Sequence, residues 1–204
     1  MSTALPTSYF EELYASNADP WGFGGRWYEE RKRALTLAAL PRQRYRRAFE
    51  PGCSVGLLSA ELAQRCDSLL ATDVSAVAVD QAAARLAPFP GAVALRGRVP
   101  ELWPVGSYDL VVLSELAYYL DRDGALALGQ LAAGCLADDG AVVVCHWRHE
   151  VRDYPLSGDE AQALVREGAG LTTSVQHVEA DFVLEVLVPA GTASVAESEG
   201  LVDG

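Results

Sequence analysis

Basic residues are scarce in this sequence. Against 28 aspartates and glutamates stand 16 lysines and arginines, a formal net charge of −12. A surface of that sign repels phosphate backbones and anionic lipid, which argues against nucleic acid or a membrane surface as partner. No apolar run reaches the length needed to span a bilayer. Met1 to Ser8 holds neither the basic nor the apolar region of a secretory signal, so the expected location is cytoplasmic. No internal repeat is present. The cysteines, Cys53, Cys66, Cys135 and Cys145, show no metal-ligand spacing and are expected to be reduced. His146 and His149 would face opposite sides of one strand, so they make no ligand pair, and no metal site is expected. What remains is 204 residues, half of them apolar. That is the size of one domain, able to bury roughly 70% of its unfolded surface.

The most informative stretch is Phe49-Glu50-Pro51-Gly52-Cys53-Ser54-Val55-Gly56. It reads as the end of a buried strand, a tight turn and the start of a helix. Gly52 and Gly56 let backbone approach a ligand closely, and the new helix offers unpaired N–H groups. About twenty residues on, Leu69-Leu70-Ala71-Thr72-Asp73 is an apolar run ending in an acid, the arrangement by which a Rossmann-like half holds a ribose. The turn lacks the third glycine of a dinucleotide fingerprint, and Glu50 would repel a pyrophosphate. A ligand with a cationic centre and no phosphate suits it better, and S-adenosylmethionine (AdoMet) is such a ligand.

A second reading competes. Gly52-Cys53-Ser54-Val55-Gly56 also spells G-x-S-x-G, the nucleophile elbow of serine α/β-hydrolases, with Asp121 and His146, or Asp153 and His177, in the right order downstream. Against it, little chain precedes the elbow, no His-Gly-Gly segment is present, and Asp73 is left without a role.

Residues 1–40 read as a helical arm: a short helix around Tyr9 to Tyr14, a loop carrying Asp19-Pro20-Trp21-Gly22-Phe23, and a helix from Trp27 to Leu40. The pattern turns Trp27, Ala34 and Leu37 or Ala38 inward. Glu29, Glu30, Arg31, Lys32 and Arg33 fall on the polar side and read as a solvated face, or the aromatic loop with Tyr28 and Arg31 folds over a ligand as a lid. Residues 41–189 alternate helices and strands, ending in Thr172 to Val178 and Asp181 to Val188 as two strands joined by a short turn. In the later part, Asp121 caps a helix reaching Leu136, Asp139-Gly140 is a turn, Ala141 to Cys145 is a strand, and Ser157 with Glu160 forms a capping box. The expected fold is α/β: a Rossmann-like, seven-stranded, mostly parallel sheet with one antiparallel edge strand, helices on both faces and the N-terminal helical lid. Residues 190–204, small and acidic, are expected to be a disordered tail. Ligands in such sheets bind outside the carboxyl ends of the strands, which nominates Glu50 to Gly56, Asp73, Gly97 to Val99, Ser114 to Tyr119 and Cys145 to His149.

Together these residues resemble a class I AdoMet-dependent methyltransferase, with Glu50 to Gly56 as its first motif and Asp73 as its ribose acid. Pro20-Trp21-Gly22, Trp27-Tyr28-Glu29-Glu30-Arg31-Lys32 and Leu113-Ser114-Glu115-Leu116-Ala117-Tyr118-Tyr119-Leu120 are similar, more narrowly, to the nodulation-protein-S-like (NodS-like) N-methyltransferases. The resemblance implies AdoMet as cofactor and a small-molecule acceptor, most simply an amine such as an amino sugar. The cofactor would meet Trp21, Tyr28, Arg31, Glu50, Gly52, Cys53, Ser54, Gly56, Asp73, Val74, Arg98, Val99, Ser114 and Glu115, with Arg31 on its carboxylate. Arg98 stands where the wider family carries an acid for the adenine amino group. An amine must be neutral to attack, so a proton acceptor helps: Glu115 is the first candidate and His146 the second. Tyr118, Tyr119, His146 and Trp147 would line the acceptor site. O-methylation, a Ser54 hydrolase and a non-catalytic AdoMet-binding regulator are the alternatives.

Overall fold

The computed structural model describes residues 3–202. Two helices, α1 (Thr7–Ser16) and α2 (Trp27–Ala39), precede the first strand. There follow β1 (Tyr45–Pro51), α3 (Leu57–Ala63), β2 (Cys66–Asp73), α4 (Ala76–Leu86), β3 (Ala92–Arg96) and β4 (Tyr108–Ser114). A 3-10 turn (Ala117–Tyr119) leads to α5 (Arg122–Gly134), β5 (Leu136–Trp147), α6 (Gly158–Ala169), β6 (Thr172–Val178) and β7 (Phe182–Val188). The seven strands form one sheet in the order β3-β2-β1-β4-β5-β7-β6. All pairings from β3 across to β5 are parallel; β7 runs antiparallel to both β5 and β6. The antiparallel member anticipated at one edge is thus β7, one strand in, with β6 outermost. None of the helices is long and apolar enough to cross a membrane, among the described residues.

The central strands are buried on both faces, as a sheet covered on two sides requires. Along β4, Leu110 and Val112 belong to the core beneath α2, α3 and α4, whereas Val111 and Leu113 belong to the core beneath α5 and α6. Helix starts follow the local chemistry. Asp121 accepts from the Gly124 N–H at 2.9 Å, and Ser157 and Glu160 form the anticipated capping box. α5 ends at Gly134, two residues before the anticipated stop, because Leu136 already pairs with Tyr108 as the start of β5. Asp139-Gly140, expected as a turn before the strand, lies inside β5, where the register shifts against β4. Past Pro189, where no regular structure was expected, Ser194 and Glu197 cap a single exposed turn, α7 (Val195–Ser198).

The sheet order reverses between β1 and β4, so the crevice lies outside their carboxyl ends. The N-terminal arm runs across it. The Leu5 N–H donates to the Tyr119 carbonyl at 2.8 Å, Arg98 holds the Leu5 carbonyl at 3.0 Å, and Gln81 holds the Ala18 carbonyl at 2.9 Å.

Candidate active site

The turn after β1 is built by positive-φ residues: Gly52 (φ 75), Ser54 (φ 51) and Gly56 (φ 78). The N–H groups of Gly52 and Cys53 both donate to the Thr72 carbonyl, at 2.7 and 2.9 Å, and tie the turn to the end of β2. There Asp73 accepts from the Ser54 N–H and the Ser75 N–H, each at 2.9 Å, one on each carboxylate oxygen. Burial raises the Asp73 pKa and these backbone donors oppose the rise. Next to it, burial pushes the Glu50 carboxyl up, the Ser59 hydroxyl bond at 2.5 Å pulls it back, and the Asp73 charge adds to the rise, leaving it at about 8.

Across the crevice, α2 turns an unforeseen face inward. Glu29, Lys32 and Thr36 are buried, while Trp27 is 70% exposed. Lys32, the only lysine in the chain, donates to Glu115 Oε1 at 2.7 Å and lies 3.1 Å from Glu29 Oε2. Its ammonium also sits 5.1 Å from the centre of the Tyr28 ring. Burial opposes the Lys32 charge, but the two carboxylates outweigh it and its pKa rises. Glu115, itself at a positive φ of 55, also accepts from the Tyr118 hydroxyl and from the Trp147 N–H at 3.1 Å, both on Oε2. Burial would raise its pKa; the Lys32 ammonium and these hydrogen bonds more than compensate, and it falls below the ordinary glutamate value.

Two adjoining cavities open here. The larger, of about 270 Å³, reaches from Asp73 and Val74 past Gly97, Arg98 and Val99 to Glu115 and Trp147, roofed by Leu5, Phe10, Tyr14 and Trp21 from the arm. The smaller, of about 60 Å³, is bounded by Glu50, Gly52, Cys53, Ser114 and Arg33. The larger is walled on one side by aromatic rings: Tyr118 stacks on Tyr154 at 5.0 Å, and Tyr28 meets Trp147 edge-on at 5.3 Å.

The family profile of nodulation protein S (NodS) matches residues 10–162, most of the chain and every residue lining the two cavities except Leu5. The chain belongs to the NodS family. Nodulation protein S of Rhizobium tropici is 29% identical over 119 residues, covering 58% of this chain and 49% of that protein. The chain thus spans about half the length of the curated relative that it matches. A crystal structure of a proposed methyltransferase from Pseudomonas syringae is 47% identical, with a TM-score of 0.71, covering 79% of this chain and 99% of the other. The NodS N-methyltransferase of Bradyrhizobium japonicum, solved with S-adenosylhomocysteine (SAH), has a TM-score of 0.80 over 90% of this chain and 98% of its own, at 21% identity. At that identity the likeness speaks for the fold.

Within this NodS-family fold, most of the nominated residues meet. Trp21, Tyr28, Gly52, Ser54, Asp73, Val74, Arg98, Val99, Glu115, Tyr118, Tyr119 and Trp147 line the larger cavity; Glu50, Cys53 and Ser114 line the smaller. Three do not join them. Arg31 lines neither cavity: its guanidinium grips Glu179 with bonds of 2.8 and 2.6 Å. Gly56 serves helix packing, since a Cβ there would lie 2.8 Å from Ala82 Cα. His146 is fully buried with both nitrogens engaged: Nδ1 donates to Gln162 Oε1 at 2.8 Å, and Nε2 accepts from the Ala117 N–H at 3.1 Å. Burial lowers its pKa, so it is neutral and has no lone pair to spare. It anchors the 3-10 turn carrying Tyr118 and Tyr119 rather than acting as a base or lining the acceptor site. Arg98 lines the cavity, but its guanidinium is occupied by Leu5, Thr7 and Glu101.

The hydrolase arrangement is not formed. Ser54 Oγ bonds the Tyr14 hydroxyl at 2.5 Å, and of the two histidines nominated for a triad His146 is taken by Gln162 and the Ala117 N–H while His177 pairs with Glu179. Sequence reasoning missed Glu29, Lys32, Arg33 and Tyr154. The spacing of Glu29, Lys32 and Thr36 on one helical face was the available signal for the first two.

Proposed function

We propose that the chain is an AdoMet-dependent methyltransferase acting on a small-molecule acceptor at an amine nitrogen. One observation carries the cofactor reading. Asp73 is a buried carboxylate that lines the larger cavity with one backbone donor on each oxygen, beside a glycine turn at the β1/β4 switch point. That pairing fits a ribose diol, with the adenine against Gly97 to Val99. The amino-acid end then occupies the smaller cavity. Glu50, which holds its proton up to about pH 8, takes on charge beside the ligand ammonium. Arg33 is the cation for the carboxylate in place of Arg31: its Nε meets Glu61 at 3.0 Å and its Nη1 meets the Phe23 carbonyl at 3.1 Å, while Nη2 has no partner among the described residues. Bound AdoMet supplies a methyl group on a sulfonium. The chain's task is to hold that group in line with the acceptor and to exclude water, for which the arm serves as a lid.

The acceptor lies in the aromatic part of the larger cavity, between Tyr118, Tyr154 and Trp147. π-faces backed by an acidic wall favour an amine over a neutral hydroxyl. Glu115 is ionised and filled by Lys32, Tyr118 and Trp147, so it acts by positioning these groups and not as a free base.

Calorimetric titration with AdoMet and SAH tests the cofactor half. Micromolar binding that weakens by about 1–3 kcal/mol in Asp73→Ala is the expected result; binding that ignores this substitution would refute the assignment. SAH release over a panel of small primary amines and their hydroxyl counterparts tests the acceptor half. Turnover of the hydroxyl compounds alone would replace N- by O-methylation.

A further inference from the structure

The two cavities share the wall formed by Phe23, Glu29, Lys32, Gly52, Ser54 and Glu115. If the nucleoside fills the larger cavity and the amino-acid end the smaller, the atom joining them is the sulfur, and this shared wall surrounds it. The ionisable side chains of the wall are Glu29, Lys32 and Glu115. Two carboxylates against one ammonium leave one net negative charge, on side chains only 6–13% exposed.

The three groups are not equivalent. Glu115 is filled from Lys32, Tyr118 and Trp147. Glu29 is 9% exposed and, among the described residues, its carboxylate's only hydrogen-bonding or ion-pair partner is Lys32, which meets Oε2 at 3.1 Å and leaves Oε1 without one. Burial raises its pKa and Lys32 opposes the rise, as for an incompletely compensated carboxylate. Beside the cluster, the buried Tyr28 hydroxyl has no hydrogen-bond partner among the described residues. A buried charge without a full set of partners is costly, and a cationic ligand centre relieves that cost.

We propose that the Glu29–Lys32–Glu115 cluster is the counter-ion of the sulfonium, with Glu29 presenting the charge and Glu115 locking Lys32 behind it. The inference rests on the methyltransferase reading. Its consequence is discrimination by charge: the cluster favours AdoMet over SAH, whose sulfur is neutral, and so helps the site release its product.

The test compares AdoMet and SAH affinities by calorimetry in the wild type, Glu29→Gln and Glu115→Gln. Glu30→Gln, on the exposed side of the same helix, is the control. Glu29→Gln is expected to weaken AdoMet about tenfold, or 1.4 kcal/mol, while SAH changes less than about twofold. Equal loss for both ligands, or no loss for either, overturns the proposal. The first would mean that Glu29 only supports α2 or meets a group common to both ligands. Should Glu29→Gln fail to melt cooperatively, Glu115→Gln removes one charge from the other side of the same ammonium and must shift the AdoMet-to-SAH ratio in the same direction. A wild type that binds neither ligand would overturn the methyltransferase reading itself, an outcome distinct from parallel loss in the variants.

Discussion

Replacing Lys32 by methionine tests the physical core of the site. The change keeps the length of the side chain and removes the one ammonium between Glu29 and Glu115. Breaking a buried ion pair by deleting one partner costs about 3–5 kcal/mol, because the remaining charge stays buried without compensation. For a chain of this size, each kcal/mol moves the melting temperature by about 2–4 °C, so a fall of about 6–20 °C is expected at neutral pH. The pH dependence gives a second constraint. In the wild type the Glu115 pKa is lowered, so its contribution to stability is present above the unfolded glutamate value and is lost as pH falls through the folded value. Without Lys32 the burial that now opposes ionisation prevails, the folded pKa lies above the unfolded one, and stability is lost as pH rises. The gap between variant and wild type must therefore narrow on acidification. Thermal melts followed by circular dichroism between pH 5 and pH 8 read both quantities. A loss under about 1 kcal/mol, or a gap that widens at low pH, would refute the reasoning. The triple variant Lys32→Met, Glu29→Gln, Glu115→Gln should recover much of the lost stability, since no bare charge remains.

Further expectations concern the residues that the fold reassigned. Arg31→Ala should leave AdoMet affinity within about twofold and cost at most about 1 kcal/mol of stability, because its ion pair with Glu179 is partly exposed. Arg33→Ala should weaken AdoMet and SAH together and spare 5′-methylthioadenosine, which lacks the amino-acid end; calorimetry separates the two arginines. His146→Phe leaves the buried Ala117 N–H without its acceptor and should cost about 1–3 kcal/mol in thermal melts, without moving the pH dependence of turnover; a shifted profile would restore His146 as a base. Because the folded His146 pKa is depressed, its contribution is present above the unfolded imidazole value of about 6.5 and is lost as pH falls toward the folded one. Gly56→Ala combines a positive φ with a contact of 2.8 Å to Ala82 and should destabilise by about 1–3 kcal/mol or more. SAH affinity of the folded fraction should be unchanged, which a titration below the melting range checks.

The sequence by itself determined what depends on neighbours along the chain. The strand–turn–helix at Phe49 to Gly56, the acid ending β2, and the caps at Asp121 and Ser157 are short-range patterns, and the structure contains them. Because ligands lie at the carboxyl ends of such strands, the crevice lining followed from the same reading. Tertiary structure alone decided the rest. Hydrophobic periodicity turns the apolar side of α2 inward, yet Glu29, Lys32 and Thr36 are the buried residues there. The partner that makes this possible, Glu115, is 83 residues from Lys32 in sequence, and a pattern read along one helix carries no record of it. Arg31 shows the same limit from the other side: a guanidinium that looked free along the helix is taken by Glu179, 148 residues away. His146 stands at a strand end, where sequence reasoning expects chemistry, but α6 brings Gln162 against it and the 3-10 turn brings the Ala117 N–H. Which polar groups are spent on each other, and which remain for a ligand, is decided by long-range pairing.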